Sequence, residues 1–307
     1  MKIGLEQPHT GVPLISAVVV TYQPTAILLD SMRRLCGQVA EVILVDNGSE
    51  GVSAQVVESA GKMPGVHLIR NGSNLGIAAA LNIGIRHALP SHRPWVATFD
   101  QDTAIPKDYF EQLFQAYQMC PDSQKVRMIV PGGWTEIGAS VAQAPSAKPS
   151  WSFAKGAISS GSLIRADVFG VVGFYDDALF IDYVDADFCL RLQKYGFKIL
   201  SAPSIVLEHE LGAKQTRRLL GFLISFRIHA AWRYYYIMRN RLLAYRRYLT
   251  FSPLWALRDA RGLVLELGRI IVLENGRRLK LRATFQGIWD GLRGRTGRHP
   301  NFPPNCK

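Results

Sequence analysis

Four aspartates set the chemical possibilities of this chain: Asp46 in EVILVDNGS, Asp100 and Asp102 in WVATFDQDT, and Asp185 in FIDYVDADFCLRL. Carboxylates are hard oxygen donors and, when suitably tuned, proton acceptors. Such a set can hold a divalent cation beside a charged substrate and can take a proton from it. In an extended segment residues two apart point the same way, so Asp100 and Asp102 can converge on one ion. Mg2+ or Mn2+, sharing substrate phosphate oxygens, fits that donor set. The alternative for a lone D-x-D is a turn with an Asx bond or a solvated pair. Asp46 and Asp100 close short apolar runs, as expected of strands whose carboxyl ends form a rim, and in open α/β sheets ligands bind beyond that rim.

The elements that must position these acids follow from the hydrophobic pattern. LISAVVVTY (14–22), EVILVD (41–46), VHLIRN (66–71), WVATFD (95–100) and VRMIVPGGW (126–134) are β-rich runs. Helical stretches lie between them at 30–38, at 77–89, and at 107–120 just after Pro106. Strands alternating with helices predict an α/β fold with a mostly parallel sheet flanked by helices and right-handed crossovers. The Ala-, Ser- and Pro-rich stretch 138–150 reads as a mobile loop over the site, expected to close on substrate. NGSNLGIAAALNIG (71–84) carries small residues into a helix start. That suits either an anion at the N-terminus or close packing of the helix on the sheet by Gly76, Ala78, Ala79 and Ala80. Neither G-x-x-x-x-G-K-[ST] nor G-x-G-x-x-G is present, which removes the main support for a P-loop or a dinucleotide fold. In a helix beginning near Tyr183, Asp185 and Asp187 fall in the first turn; Asp187 reads as a cap and an i,i+4 partner of Arg191.

With 307 residues and 48% hydrophobic content the chain can build a large core. Cys36, Cys120, Cys189 and Cys306 are far apart and lack ligand spacing, so they are expected to be reduced thiols. No leader pattern or spanning apolar run is evident, which predicts a cytoplasmic protein. The net charge of +12 is unevenly placed: residues 211–307 hold 20 Lys/Arg and 4 Asp/Glu, whereas 1–210 hold 16 and 20. Segments 227–249 and 258–285 interleave Arg with Leu, Ile, Tyr and Trp at helical intervals. They suit either an anionic membrane surface, with the protein peripheral at the inner face of the cytoplasmic membrane, or packing on the catalytic part or on a second subunit as a homodimer. No nucleic acid is expected, since no helix-turn-helix, RNA-binding or zinc motif accompanies the charge.

Together VVVTYQP, VDNGS, the N-x-G-x-A-x-A-x-N-x-G segment from Asn74, FDQDT and FIDYVDADFCLRLQKYG resemble, in order and spacing, the inverting glycosyltransferases of family 2, which have the GT-A fold. The resemblance covers about residues 14–212 and is strongest to bacterial rhamnosyltransferases, where an H-x-L-G segment follows, here beginning at His209. It implies a catalytic GT-A domain over 1–212 and a basic helical region over 213–307 that meets the acceptor or membrane. Thr21 and Tyr22 would border the nucleotide, Asp46 would bond the pyrimidine, and Asp100 would contact ribose or metal. Asp102 and His209 would be metal ligands. Asn74, Gly76, Asn82 and Gly161 would belong to the donor site. Asp185 matches the general base of the family's acidic pair, whose first acid is Val184 here, so Asp182 is the other candidate base. The implied reaction moves L-rhamnose from dTDP-L-rhamnose to a lipid-linked or polysaccharide precursor, with a UDP-hexose as alternative donor. Two readings from other classes stay open: a non-catalytic nucleotide-binding membrane scaffold, and a nucleotidyltransferase, which would need a triphosphate loop after the first strand that is not found here.

Overall fold

The computed structural model describes residues 14–135, 150–208, 214–219 and 222–303. The chain opens with three strand–helix repeats: β1 (Ile15–Thr21), α1 (Ile27–Cys36), β2 (Glu41–Asp46), α2 (Gly51–Gly61), β3 (Val66–Arg70) and α3 (Ile77–Ala88). Then come β4 (Trp95–Asp100), α4 (Tyr109–Met119), β5 (Val126–Thr135), β6 (Ser152–Ala154), β7 (Ser162–Arg165) and α5 (Phe169–Val172). The remainder is α6 (Val184–Lys194), β8 (Lys198–Glu208), a hairpin of β9 (Lys214–Leu219) and β10 (Phe222–Arg227), and three helices, α7 (Ala231–Tyr248), α8 (Pro253–Val272) and α9 (Arg277–Leu292).

Eight strands form one sheet in the order β3-β2-β1-β4-β7-β5-β8-β6. The pairs β2–β3, β1–β2, β1–β4 and β5–β8 are parallel, and β7 runs against both β4 and β5. β1 shows why the centre is β: seven residues dominated by β-branched side chains are all buried, and successive ones face opposite layers. Ile15, Ala17 and Val19 pack with α1, α2 and α4, while Val18 and Val20 pack with α3, α5 and α6. The expected α/β sheet with helices on both faces is therefore observed.

Three expectations need correction. The expected helix over 227–249 begins only at Ala231, because β10 extends through Arg227. The stretch 258–285 is not one helix: α8 ends at Val272 and Gly276, in the left-handed region with φ +67, starts α9. SSGSLIR (159–165), which by the family resemblance is a donor-side loop, is strand over its last four residues, Ser162–Arg165, β7. The stretch 138–149 and the boundary between 212 and 213 lie outside the described residues.

Of the two alternatives for the C-terminal helices, α7 takes the packed one. Tyr234, Tyr235 and Tyr236 form a cluster with Phe180, Ile270 and Ala283, and Arg239 is only 1% exposed. Cys36, Cys120 and Cys189 are free thiols, and Cys306 lies outside the described residues.

Candidate active site

Register places the acids. Thr21 at the end of β1 pairs with Asp46 at the end of β2, and Val20 pairs with Asp100 at the end of β4, so all three strands deliver their last residues to one rim. Because β7 is reversed, its first residues reach the same rim. Thr98 pairs with Ser162, the Asp100 N–H donates to Ser160 Oγ (3.1 Å), and the Thr98 hydroxyl donates to the Ser159 carbonyl (2.6 Å). A cleft of about 470 Å3 opens there, lined by Tyr22, Asn47, Asn74, Gly76, Asp100, Gln101, Asp102, Phe180, Ile181, Trp232 and Arg233, among others.

Gln101, between the two acids, ties the β4 turn to β1. Its Oε1 accepts from the Thr21 hydroxyl and the Tyr22 N–H, each at 2.8 Å. Asp100 and Asp102 thus lie on a pinned turn, and both line the cleft. Two carboxylates lining one cleft suit a hard cation, and this donor set fits Mg2+ or Mn2+. Among the described residues no three His, Cys, Asp or Glu side chains are gathered as a ligand set, and His209, the proposed further ligand, lies outside them.

Asn47 joins β2 to the segment before α3. Its amide donates to Asn74 Oδ1 (3.0 Å) and the Gly76 carbonyl (3.3 Å), and its carbonyl accepts from Asn71 Nδ2 (3.1 Å) and the Leu75 N–H (3.0 Å). Gly76 has φ +90, and a Cβ there would lie 2.5 Å from the Phe180 carbonyl oxygen, which accepts from Ile77 N (2.8 Å). Of the two uses open to this segment, close packing on the sheet is the one observed. Ala78 and Ala80 are buried against the sheet, while Asn74 and Gly76 line the cleft.

Not every predicted residue reaches the cleft wall. Asp46 is nearly closed to solvent and caps its own turn, accepting from the Ser49 N–H at 3.1 and 3.3 Å. Two others lie behind the cleft wall. Asn82 is a buried clamp, donating to the Tyr175 carbonyl (2.8 Å) and to Asp177 and accepting from Tyr175 N (2.9 Å). Gly161, φ +80, sits in the interior where a Cβ would meet Leu207 Cδ1 and the Tyr109 hydroxyl. Both are absent from the cleft lining because each is consumed by holding elements together.

The loop 180–183 before α6 is unusual: Phe180, Asp182 and Tyr183 all have positive φ, at 65°, 60° and 63°. α7 holds it. Asn240 Nδ2 donates to the carbonyls of Leu179 (2.9 Å), Ile181 (2.7 Å) and Asp182 (2.9 Å), and Arg233 clasps Asp182 with both Nε and Nη2 (2.9–3.1 Å). Asp185 then enters on the first turn of α6. Surrounding protein keeps its charge from water, and the negative charges of Asp100 and, less strongly, Asp182 oppose another. Ser159 works the other way, and the net result lifts the Asp185 pKa to about 7. Part of its surface stays open. Asp187, two residues on, is structural: Tyr248 Oη (2.6 Å), Arg191 Nε (2.9 Å) and Arg247 Nη1 (3.1 Å) all donate to it. The Asp187 side of the Arg191 pair is therefore buried, while Arg191 itself is partly exposed.

Residues 16–137 match the family model described as Glycosyl transferase family 2. Over 92% of this chain and 97% of the relative, the sequence is 30% identical to dTDP-rhamnosyl transferase RfbF of Shigella flexneri. The chain belongs to glycosyltransferase family 2. The glycosyltransferase is also 26% identical to the N-acetylglucosaminyl-diphospho-decaprenol L-rhamnosyltransferase of Mycobacterium tuberculosis, over 64% of this chain and 76% of that one. The mannosyltransferase PcManGT of Pyrobaculum calidifontis, solved with GDP-Man and Mn2+, superposes with a TM-score of 0.56 over 92% of this chain and 88% of its own, at 14% identity. This likeness establishes the GT-A fold, and the glycosyltransferase is an enzyme of the hexosyltransferase type.

Asn47, Gln101, Trp232 and Arg233 were not among the residues expected at the site. Asn47 and Gln101 lie inside recognised motifs, between residues that were singled out. Trp232 and Arg233 come from the start of α7, and no local signal connects them with Asp182.

Proposed function

We propose that this enzyme transfers L-rhamnose from dTDP-L-rhamnose to a lipid-linked or polysaccharide precursor with inversion at the anomeric carbon. The observation that carries the reading is the shared cleft of Asp100 and Asp102, with the proton-accepting Asp185 close enough to sense the Asp100 charge. The likeness to RfbF supports dTDP-rhamnose as donor, and a UDP-hexose is the alternative that a donor screen separates.

Tyr22, Asn74 and Gly76 border the space offered to the nucleotide, and Gln101 fixes the turn on which both acids sit. Asp102 and Asp100, with His209, would hold Mg2+ or Mn2+, which when bound supplies Lewis-acid stabilisation of the departing diphosphate. Asp185 removes the acceptor hydroxyl proton as that oxygen attacks the anomeric carbon from the side opposite the diphosphate. A base with pKa near neutrality is matched to this task. Asp182, the other candidate, is committed to a two-pronged ion pair with Arg233, which favours Asp185 as the base. In this reading residues 1–212 carry most of the donor site, Trp232 and Arg233 complete its cleft, and the rest of 213–307 serves the acceptor, at the inner face of the membrane where a lipid-linked precursor would be presented.

The test is calorimetric titration with dTDP and UDP, each with Mn2+ and with EDTA, on wild type and Asp102→Ala. Metal-dependent binding that prefers dTDP and is lost in Asp102→Ala is the expected outcome. Preference for UDP would remove rhamnose, and absence of nucleotide binding would remove the donor site.

A further inference from the structure

The outer faces of α8 and α9 are apolar to a degree that a solvated surface does not explain. On α8, Leu254, Leu257, Val264, Leu265, Ile271 and Val272 are exposed, and most are about two-thirds accessible. Their spacing of three, seven and eight residues puts them along one stripe. On α9, Phe285, Trp289 and Leu292, four and three residues apart, form a second stripe, with Phe285 66% exposed. Isolated exposed apolar residues are ordinary; two stripes on consecutive helices that touch each other mark an interaction surface.

Charge identifies the partner. Arg258, Arg261, Arg277, Arg278, Arg282 and Arg293 are exposed on the same two helices or at their ends. All four acids of residues 211–307, in contrast, turn inward. Asp259 accepts from Tyr183 Oη (2.7 Å) and Arg241 (2.8 Å), and Glu266 accepts from Arg241 (3.2 Å). Glu274 accepts from Tyr234, Arg269 and Lys280, and Asp290 accepts from Tyr235 (2.9 Å). The surface is apolar and cationic with no outward acid. Against a second copy of itself it would bring arginines together with nothing to neutralise them. Anionic headgroups over an acyl interior complement both properties. No helix among the described residues is long and apolar enough to cross a membrane, so the contact would be in the plane of the interface.

We propose that α8 and α9 are the surface that seats this enzyme on an anionic bilayer; the inference rests on the reading of a lipid-linked acceptor and assigns the residues that bring the enzyme to it. The inner face of α8 makes the seat relevant to catalysis. Asp259 holds Tyr183, which lies two residues before Asp185, and Arg241 donates to both Asp259 and the Tyr183 hydroxyl (2.6 Å). The helix that meets lipid also fixes the entrance to the catalytic helix.

The experiment is flotation of the full-length protein with phosphatidylcholine vesicles, with and without phosphatidylglycerol, for wild type and for Leu257→Ser/Leu265→Ser/Phe285→Ser. A second variant, Arg258→Ser/Arg261→Ser/Arg278→Ser, tests the charge. Both sets are exposed, so the fold is retained, and dTDP binding is measured alongside. Wild type is expected to float with the anionic vesicles, less so at raised ionic strength, and each variant to bind them at least about tenfold more weakly with unchanged dTDP affinity. Wild type that ignores anionic vesicles, binds neutral ones equally, or loses nothing in the variants overturns the proposal. So does a wild-type dimer that the Leu/Phe variant splits without any vesicle binding, which would make the surface a subunit interface. Vesicle binding without dTDP binding leaves the seat standing and removes the donor reading instead.

Discussion

Replacing Asp185 by Asn should make the protein more stable while it abolishes transfer, and the gain should depend on pH. A solvated aspartate ionises near about pH 3.9, whereas Asp185 retains its proton to about 7 because burial and Asp100 both oppose its charge. The stability that protonated Asp185 contributes is fully present below the unfolded value and is lost as the pH rises through the folded one. Linkage puts that loss at about 4 kcal/mol between about pH 4 and pH 8. Asn is nearly isosteric and never ionises, so the variant escapes the loss. For 307 residues, typical unfolding entropies convert this into a melting temperature higher by about 6 °C at pH 8, and equal to wild type near about pH 4. The assay is thermal or urea unfolding of both proteins across this range without nucleotide or divalent ions, since a bound cation would lower the pKa being tested. In parallel, wild-type kcat/KM should rise with pH toward a plateau above about 7, and Asp185→Asn should lose about 100-fold or more in turnover while still binding dTDP. Parallel pH–stability curves would refute the raised pKa. Retained turnover would refute the role as base and return attention to Asp182.

Other outcomes follow from single contacts. Gly76→Ala should cost about 1–3 kcal/mol, because the backbone is left-handed and the new Cβ would press on the Phe180 carbonyl; denaturant unfolding measures it, and an unchanged midpoint would contradict the close approach. Asn47→Ala removes the acceptor and donor that hold Asn71, Asn74 and Leu75, so both stability, by about 1–3 kcal/mol, and dTDP affinity should fall. Glu274→Ala leaves Arg269 and Lys280 without their buried partner and should cost about 3–5 kcal/mol. Expression as soluble, cooperatively unfolding protein with wild-type stability would count against that network.

β1, β2 and β4 were legible because they are buried on both faces and read as continuous apolar runs, as in AVVV of β1 and VILV of β2. Helix α2 has no such clarity: only Val57 and Ala60 are buried, and its sequence GVSAQVVESAG opens with a glycine. β7 was obscured because SSGS reads as a loop, and reversal of a strand within a parallel sheet leaves no periodic mark. At the site, residues at strand ends were readable from local motifs, whereas the buried packing of Asn82 and Gly161 was not, for one reason. A motif reports that a residue type is required, and both a ligand contact and a buried clamp require asparagine or glycine. Arg233 was unreadable since its partner Asp182 is 51 residues away.

The C-terminal region therefore cannot be a passive anchor appended to a finished active site. Three consecutive-range residues with positive φ, Phe180, Asp182 and Tyr183, each cost on the order of 1–3 kcal/mol relative to relaxed backbone. Such a loop persists only if its surroundings overdetermine it. The bonds that do so come from α7: Asn240 to the carbonyls of Leu179, Ile181 and Asp182, Arg239 to the Leu179 carbonyl (2.9 Å), and Arg233 to Asp182. Asn240 is wholly buried, so its loss cannot be repaired by water. Asn240→Ala should release the loop, displace Asp185 from Asp100, and return its pKa toward that of an ordinary carboxylate. The pH at which kcat/KM falls should then move to lower values even as the maximum drops. A lowered maximum with an unmoved pH profile would mean that α7 supports the fold and not the position of the base.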